Sequence, residues 1–210
     1  MKSEPQRLIE DARVIGVTID EPQAERLLQL LDELSRWNRS YNLTAITTRE
    51  AAISAHLLDS LSALPELTGS LIADVGTGAG FPGLPLALLE PQRQFTLIDS
   101  VAKKIRFVTH AARTLELANI TPLQIRVETF APPTPFDTVL ARAFAALPDL
   151  LKQIQGLCGP HTHVVALKGR YPHDELAEIP RGWRLAQVRA LEIPHLAGER
   201  HILTFQPQPV

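Results

Sequence analysis

The sequence predicts an α/β fold in which helices cover a mostly parallel sheet, with a helical segment in front of it. Apolar strands alternate with amphipathic helices from Leu71 onward, which is typical of parallel sheets. A glycine-rich turn follows the first of these strands, whereas the residues before it show helical periodicity. We therefore expect a helical extension over residues 1–66 and an α/β domain over residues 67–210, packed as one globular unit.

Composition restricts the classes to which the chain can belong. Its 210 residues suit one domain with a small extension, and a hydrophobic content of 45% is sufficient for a core. The net charge of −2 gives no global positive field, so any nucleic-acid contact has to rest on local basic patches. Cys158 is the single cysteine, which excludes an internal disulfide. Because the N-terminal residues lack a signal-peptide core and no apolar run approaches membrane-spanning length, we expect a cytoplasmic protein.

The N-terminal segment is predicted to contain three helices. The first covers residues 5–16, and the second begins after Asp20, whose side chain can cap it. Thr47 and Glu50 have the spacing of a capping box, which predicts a third helix over residues 48–64. A histidine within this third helix is interpreted as structural, since metal binding would need further ligands.

Two groups of basic residues are candidates for contact with an anionic partner. Arg36 and Arg39 stand among aromatic residues that can stack on bases, although a helix end with solvated arginines explains the same pattern. Lys103, Lys104 and Arg106 begin a predicted helix over residues 102–118, where cations oppose the helix dipole. An anionic partner and a solvated surface explain this second group equally well.

The glycine-rich turn at residues 74–83 is the most informative stretch. Gly78, Gly80 and Gly83 match G-x-G-x-x-G, a dinucleotide fingerprint that is weak when taken alone. The same stretch reads D-x-G-x-G-x-G from Asp74, the pattern of methyltransferases that use S-adenosylmethionine. An acid before the first glycine suits the cationic amino-acid end of that cofactor. A turn without a ligand is disfavoured because so many glycines reduce stability.

Charged residues follow the later strands of the predicted sheet. These strands cover residues 95–98, 123–127, 136–141 and 163–167, with antiparallel strands at 183–193 and 200–205. Asp99 follows the second strand, where an acid can accept both ribose hydroxyls of either cofactor. Glu128, Arg142 and Lys168 follow the next three strands. Because ligands bind outside the carboxyl ends of parallel strands, these residues indicate one site.

Several motifs occur in the chain in a specific order. They are the turn at 74–83, LIDS at 97–100, ARAF at 141–144, ALKG at 166–169, WN at 37–38 with YNLT at 41–44, HLLDS at 56–60, and GERH at 198–201. Together they make the chain resemble, over nearly its whole length, the glucose-inhibited division protein B family of bacterial small-subunit ribosomal RNA guanine-N7 methyltransferases.

The resemblance implies both a fold and a reaction. The implied fold is that of class I methyltransferases, Rossmann-like with a mostly parallel seven-stranded sheet. The implied methyl donor is S-adenosylmethionine, and the implied target is a single guanosine near the decoding centre of 16S ribosomal RNA. We expect the small ribosomal subunit to be the partner, no membrane or metal to be involved, and the protein to be a monomer.

The expected site residues follow from the residues themselves and from the resemblance. The motifs above nominate a set for the cofactor: Asp74, Gly76, Gly78, Gly80, Phe81, Asp99, Ser100, Val127, Glu128 and Arg142. Among these, Gly76, Phe81, Val127, Glu128 and Arg142 stand where the family contacts its cofactor. The expected RNA contacts are the two basic groups described above.

The chemistry of guanine N7 agrees with the residues available. Its lone pair carries no proton, so methylation needs no general base, and none stands out in the sequence. Arg142 and Lys168 are therefore candidates for orienting substrate and cofactor. Cytosine-C5 methylation needs a cysteine nucleophile, but Cys158 lies away from the predicted strand ends. A small-molecule methyltransferase and a non-catalytic binding module remain the alternatives.

Overall fold

The computed structural model describes residues 2–208, which form one sheet with apolar clusters and helices on both faces. The strands are β1 (Leu71–Val75), β2 (Gln94–Asp99), β3 (Ile120–Gln124), β4 (Phe136–Arg142), β5 (Cys158–Lys168), β6 (Trp183–Leu191) and β7 (Arg200–Pro207). Their order across the sheet is β3-β2-β1-β4-β5-β7-β6. Neighbours from β3 to β5 are parallel, and β7 runs antiparallel to both β5 and β6. The predicted fold class is confirmed.

The helices lie between the strands and in front of them. They are α1 (Glu4–Val14), α2 (Glu21–Tyr41), α3 (Arg49–Ala52), α4 (Asp59–Leu61), α5 (Gly83–Leu89), α6 (Ala102–Thr114), α7 (Leu147–Gln153) and α8 (His173–Ala177). A π-helical turn, Ile53–Leu58, connects α3 to α4, and short 3₁₀ turns cover Leu64–Glu66, Val127–Thr129 and Gln155–Leu157. No helix among residues 2–208 is long and apolar enough to cross a membrane.

The predicted helix boundaries hold at one cap and fail at another. Asp20 caps α2 as expected, because its Oδ1 accepts a hydrogen bond from the Gln23 N–H at 2.8 Å. The expected capping box at Thr47 is wrong. The helical segment starts at Arg49 after Thr48, which makes no side-chain cap bond.

The N-terminal helices share a hydrophobic core with one face of the sheet. Leu27 and Leu30 of α2 belong to the same buried cluster as Ile72 of β1 and Leu140 of β4. Alternate strand residues such as Val139 face the opposite way and pack in a second cluster with α7. The expected division between residues 66 and 67 stays a prediction.

Several element boundaries differ from the sequence prediction, and those of β3 and α6 lie close to the predicted site. The third strand covers Ile120–Gln124 instead of residues 123–127. It contains Pro122, which donates no backbone hydrogen bond and is tolerated because β3 is an edge strand. Helix α6 ends at Thr114 rather than at residue 118, and the chain turns through a left-handed residue, Glu116, with φ of 51°.

The parallel register brings the strand ends together. Val75 of β1 pairs with Ile98 of β2 and with Ala141 of β4. Asp99 and Arg142, the next residues of those strands, therefore emerge at the same edge as the glycine turn. This edge positions the candidate site.

Candidate active site

The buried carboxylate of Asp74 stabilises the conformation of the glycine turn. Asp74 is fully buried, and its Oδ2 accepts hydrogen bonds from the Thr77 hydroxyl at 2.6 Å and the Gly83 N–H at 2.8 Å. A Cβ added to Gly83 would approach this oxygen to 2.7 Å, so glycine is required there. Burial raises the pKa of Asp74 to about 6, and the two hydrogen bonds offset part of that shift. The Asp74 side chain thus shapes the turn and does not line the adjoining clefts.

Backbone geometry in the turn leaves room at one glycine. Gly78 has φ of 61°, and a Cβ built on it would meet only the Gly76 carbonyl oxygen, at 4.0 Å. A Cβ on Gly76 would instead collide with the ring of Phe144, and one on Gly80 with Leu84. Gly78 therefore borders open space, where a ligand can approach the backbone closely.

Two clefts open at this edge of the sheet and meet at Gly76, Lys104 and Ala143. The adenosine cleft, as we call the first, encloses about 400 Å³ and is lined chiefly by the ends of β2 and β4 and the turn after β3. The transfer cleft, as we call the second, encloses about 500 Å³ and lies between the glycine turn, the π turn and the end of β5. Together they form one continuous site with two compartments.

The adenosine cleft contains Asp99, the acid predicted to hold ribose, and Glu128, which the resemblance nominates for the cofactor. Asp99 accepts hydrogen bonds from the Val101 N–H at 2.9 Å and the Gly78 N–H at 3.0 Å, and Lys104 Nζ lies 3.3 Å from its Oδ2. A carboxylate offers about four lone-pair sites, so one acceptor position remains on Asp99. Glu128 is exposed in the same cleft and supplies further acceptors. Ser100 and Val127 also line it.

The transfer cleft is built around a stack of side chains. Phe81 is buried, and its ring lies 4.8 Å from the ring of His56, with 25° between their planes. The Arg142 guanidinium lies 5.8 Å from the centre of the Phe81 ring. Lys168 Nζ lies 2.8 Å from a Glu175 carboxylate oxygen, so this predicted catalytic lysine already has a partner.

His56 is unsuited to act as a base. Burial lowers its pKa to about 4, and the positive charge of Arg142 contributes to the same shift. Its Nε2 lies 3.1 Å from the Thr44 hydroxyl. The imidazole is therefore neutral and held in place near neutral pH.

The two basic groups expected to contact RNA lie on neighbouring helices. Lys103 Nζ donates to the Tyr41 carbonyl at 2.8 Å, which joins the start of α6 to the end of α2. Arg36 pairs with the buried Glu33 at 3.0 Å, and Lys104 faces Asp99 in the clefts as described above. Arg39 and Arg106 are exposed.

The aromatic residues between these groups are only partly available for stacking. Trp37 is half-buried against Phe107 and His110, at ring-centroid distances of 5.7 Å and 4.9 Å. This packing favours the structural interpretation of Trp37. Tyr41 is 42% exposed, which leaves its ring accessible.

Comparison with known proteins identifies the family. A family model described as rRNA small subunit methyltransferase G (GidB) matches residues 23–203. The ribosomal RNA small subunit methyltransferase G of Aeromonas salmonicida is 44% identical over 191 residues, which cover 91% of this chain and 92% of that protein. Its counterpart in Escherichia fergusonii is 40% identical over 203 residues, 97% of each chain. The chain belongs to this family. It is an S-adenosylmethionine-dependent methyltransferase, as predicted.

Solved structures of other methyltransferases share the fold. The ribosomal protein L11 methylase of Lactobacillus delbrueckii subsp. bulgaricus superposes with a TM-score of 0.56 at 17% identity, over 72% of this chain and 78% of that one. A SAM-dependent methyltransferase of Aquifex aeolicus gives a TM-score of 0.55 at 17% identity, over 75% and 93% of the two chains. At these identities the likeness concerns the fold alone.

The site residues suit S-adenosylmethionine. Gly78 leaves space against the backbone, Asp99 and Glu128 offer acceptors for hydroxyl groups, and the Arg142 guanidinium suits a carboxylate. When bound, the cofactor supplies an electrophilic methyl group. Family membership favours a methyltransferase over a dinucleotide-binding protein and over a non-catalytic binding module.

Sequence reasoning missed several residues of the transfer cleft. Asp59 and Arg200 line it, yet in the sequence they stand out only as letters of motifs that carry the resemblance. Thr44 and Ile46 line it from the segment after α2. Their only signal in the sequence was their place in or beside those motifs, because the contacts join distant parts of the chain.

Proposed function

We propose that this methyltransferase transfers a methyl group to N7 of a single guanine near the decoding centre in the 16S RNA of the small ribosomal subunit. The family is named for the small subunit, and the relatives at 40–44% identity carry the same name. We propose further that the protein acts as a monomer in the cytoplasm.

The charged groups that line the transfer cleft, and the state of its histidine and carboxylate, support the proposal. Arg142, Lys168 and Arg200 line it, so it suits an anionic substrate such as RNA better than a small apolar molecule. Among its described lining residues the one histidine, His56, stays neutral near pH 7. The one carboxylate, Asp59, is paired with arginines. A cleft with cations and no free base suits a nucleophile that carries no proton.

The reaction at N7 needs correct positioning of base and cofactor and electrostatic stabilisation of the transferring methyl group. The N7 lone pair attacks the methyl carbon in line with the leaving sulfur, and no proton has to be removed. We assign to Arg142 and Lys168 the task of orienting cofactor and substrate in the cleft. Asp99, Ser100, Val127 and Glu128 would hold the adenosine part of the cofactor, which leaves its methyl group directed to the transfer cleft.

Other target atoms fit these residues less well. Transfer to guanine N1 or N2 requires loss of a proton, and the transfer cleft offers no suitable base. Transfer to cytosine C5 requires a thiolate, whereas burial raises the pKa of Cys158 to about 12. The Cys158 thiol also donates to the Ile154 carbonyl at 3.4 Å, away from both clefts.

The roles of the RNA contacts follow from their exposure. Arg39 and Arg106 are exposed on neighbouring helices, so they are the members of the two basic groups most available to phosphates. Lys103 and Arg36 can contribute after exchanging their present partners. Lys104 borders both clefts and would act closer to the cofactor.

Methyl incorporation tests the proposal directly. Small subunits from cells that lack this enzyme are incubated with the protein and radiolabelled S-adenosylmethionine, and fully modified subunits serve as the control. We expect a single methyl group per unmodified subunit, with a single-turnover rate that is flat from about pH 6.5 to 8.5. Absence of incorporation, or a rate that rises steeply through neutral pH, would contradict the proposal.

A further inference from the structure

The π-helical turn Ile53–Leu58 frees a backbone carbonyl beside the transfer cleft. In an α-helix the Asp59 N–H would donate to the Ala55 carbonyl, four residues back. Here it donates to the Ser54 carbonyl, five residues back. The Ala55 carbonyl instead accepts a hydrogen bond from Arg142 Nη1 at 2.7 Å. The turn therefore provides an anchor for an arginine on strand β4, and single π turns of this kind occur frequently at functional sites.

Asp59 provides a second anchor for the same arginine. Its Oδ2 accepts a hydrogen bond from Arg142 Nη1 at 3.0 Å, and its Oδ1 lies 3.5 Å from Arg200 Nε. The Asp59 side chain is only 9% exposed, whereas those of Arg142 and Arg200 are 18% and 26% exposed and line the cleft. One largely buried carboxylate thus contacts two guanidinium groups, and all three side chains line the transfer cleft.

The arginines keep hydrogen-bonding capacity for ligands. The bonds from Arg142 to Ala55 and Asp59 use Nη1, and a guanidinium has three further N–H donors on Nη2 and Nε. Such a fork matches the geometry of carboxylates and phosphates. Its orientation determines whether both bonds to a ligand form, and the anchors at Ala55 and Asp59 fix that orientation.

We propose that Asp59 is a positioning residue that acts through Arg142 on the carboxylate end of the cofactor and through Arg200 on the RNA. This inference rests on the proposed function. Burying an ion pair is costly, and apolar residues in place of the whole pair are often as stable, so stability alone does not account for this cluster. The contacts of Asp59 with two arginines of the transfer cleft therefore assign it to the binding site.

Calorimetry with two probes separates positioning from a merely structural role. S-adenosylhomocysteine carries the amino-acid carboxylate, whereas 5′-methylthioadenosine has the same adenosine without it. We expect Asp59→Asn to weaken S-adenosylhomocysteine binding at least about tenfold, the scale of one charged hydrogen bond, and to leave methylthioadenosine binding unchanged. In an Arg142→Ala background, Asp59→Asn should cause no further loss.

The RNA side has its own measurement. In steady-state assays at saturating S-adenosylmethionine, Asp59→Asn should raise the KM for small subunits, and it should not do so in an Arg200→Ala background. If Asp59→Asn does not fold, Asp59→Glu keeps the charge and displaces the carboxylate by one methylene. It should show the same selective loss of S-adenosylhomocysteine binding.

Glu66→Gln is the matched control. Glu66 pairs with Arg189 at 2.9 Å, also connects the N-terminal segment to the sheet, and is similarly buried at 11% exposure, but lies outside both clefts. It should lower the melting temperature without changing either probe's affinity. Unchanged S-adenosylhomocysteine binding in Asp59→Asn, or equal loss of both probes, would overturn the inference. The calorimetry needs no RNA, so this result is distinct from failure of wild-type methylation.

Discussion

Gly78→Val tests whether the cofactor lies against the glycine turn. Gly78 has φ of 61°, and its added Cβ would meet no protein atom closer than the Gly76 carbonyl oxygen at 4.0 Å. The substitution therefore adds backbone strain and fills ligand space, while its Cβ does not collide with the free protein. We expect the variant to fold and to lose S-adenosylhomocysteine binding.

The two effects differ in size and can be measured separately. A side chain in the left-handed region costs about 2 kcal/mol, which corresponds to a melting temperature lower by about 4–8 °C in a chain of this length. This strain is present with and without ligand, so it cancels from the dissociation constant. Steric exclusion does not cancel, and we expect affinity to fall at least about a hundredfold, or about 2.7 kcal/mol.

Gly16→Val is the matched control for strain. Gly16 has φ of 78°, lies beyond the end of α1, and its added Cβ meets no atom within 4 Å. It should lose similar stability and bind S-adenosylhomocysteine normally in calorimetry. The reasoning is refuted if Gly78→Val binds within about threefold of wild type, or if Gly16→Val loses as much affinity as Gly78→Val.

Further predictions concern RNA contact, catalysis and acid stability. The double substitution Arg39→Gln and Arg106→Gln should weaken RNA binding and leave S-adenosylhomocysteine affinity unchanged. It should also reduce, by about 1–2, the slope of the logarithm of the RNA binding constant against the logarithm of salt concentration, and an unaltered slope would show that neither arginine contacts phosphate. Lys168→Ala should slow single turnover at least about tenfold, with partial recovery in Lys168→Arg, and a wild-type rate would exclude the orienting role. The pKa of His56 is about 4 in the folded protein and 6.5 in the unfolded chain, so protonation of the unfolded chain destabilises the fold as pH falls through this window. Urea unfolding of His56→Gln should therefore show up to about 3 kcal/mol less loss of stability between about pH 6.5 and 4 than wild type, and equal losses would contradict the lowered pKa. The raised pKa of Asp74 has the opposite effect, because it stabilises the fold as pH falls below about 6. This contribution is the same in wild type and in His56→Gln.

The sequence predicts the features that depend on local patterns. Buried strands bounded by glycine or charge are visible as apolar runs, so β1 and the residues at the ends of β2, β4 and β5 were placed correctly. Strand β3 was misplaced: it contains Pro122, a residue that is atypical of strands but that an edge strand tolerates. The family and its cofactor were also predicted, because several motifs coincide in order.

Features that depend on tertiary contacts could not be predicted. Asp59 and Arg142 are 83 residues apart, and no local pattern connects them. The π turn carries no residue type that distinguishes it from an α-helix. Lys104 was assigned to RNA from the helix dipole, whereas its nearest partner is Asp99, five residues before it. The individual roles of the site residues stay predictions.

Chemical mapping of the modified base tests the proposed reaction most directly. Small subunits from cells lacking the enzyme are methylated with the protein and labelled S-adenosylmethionine. The RNA is then reduced with borohydride and treated with aniline, which cleaves it at N7-methylguanosine. We expect one new cleavage site in 16S RNA, present only when both enzyme and cofactor were added. Incorporated label without a new cleavage would show that the methyl group is on another atom, and the N7 assignment would be wrong.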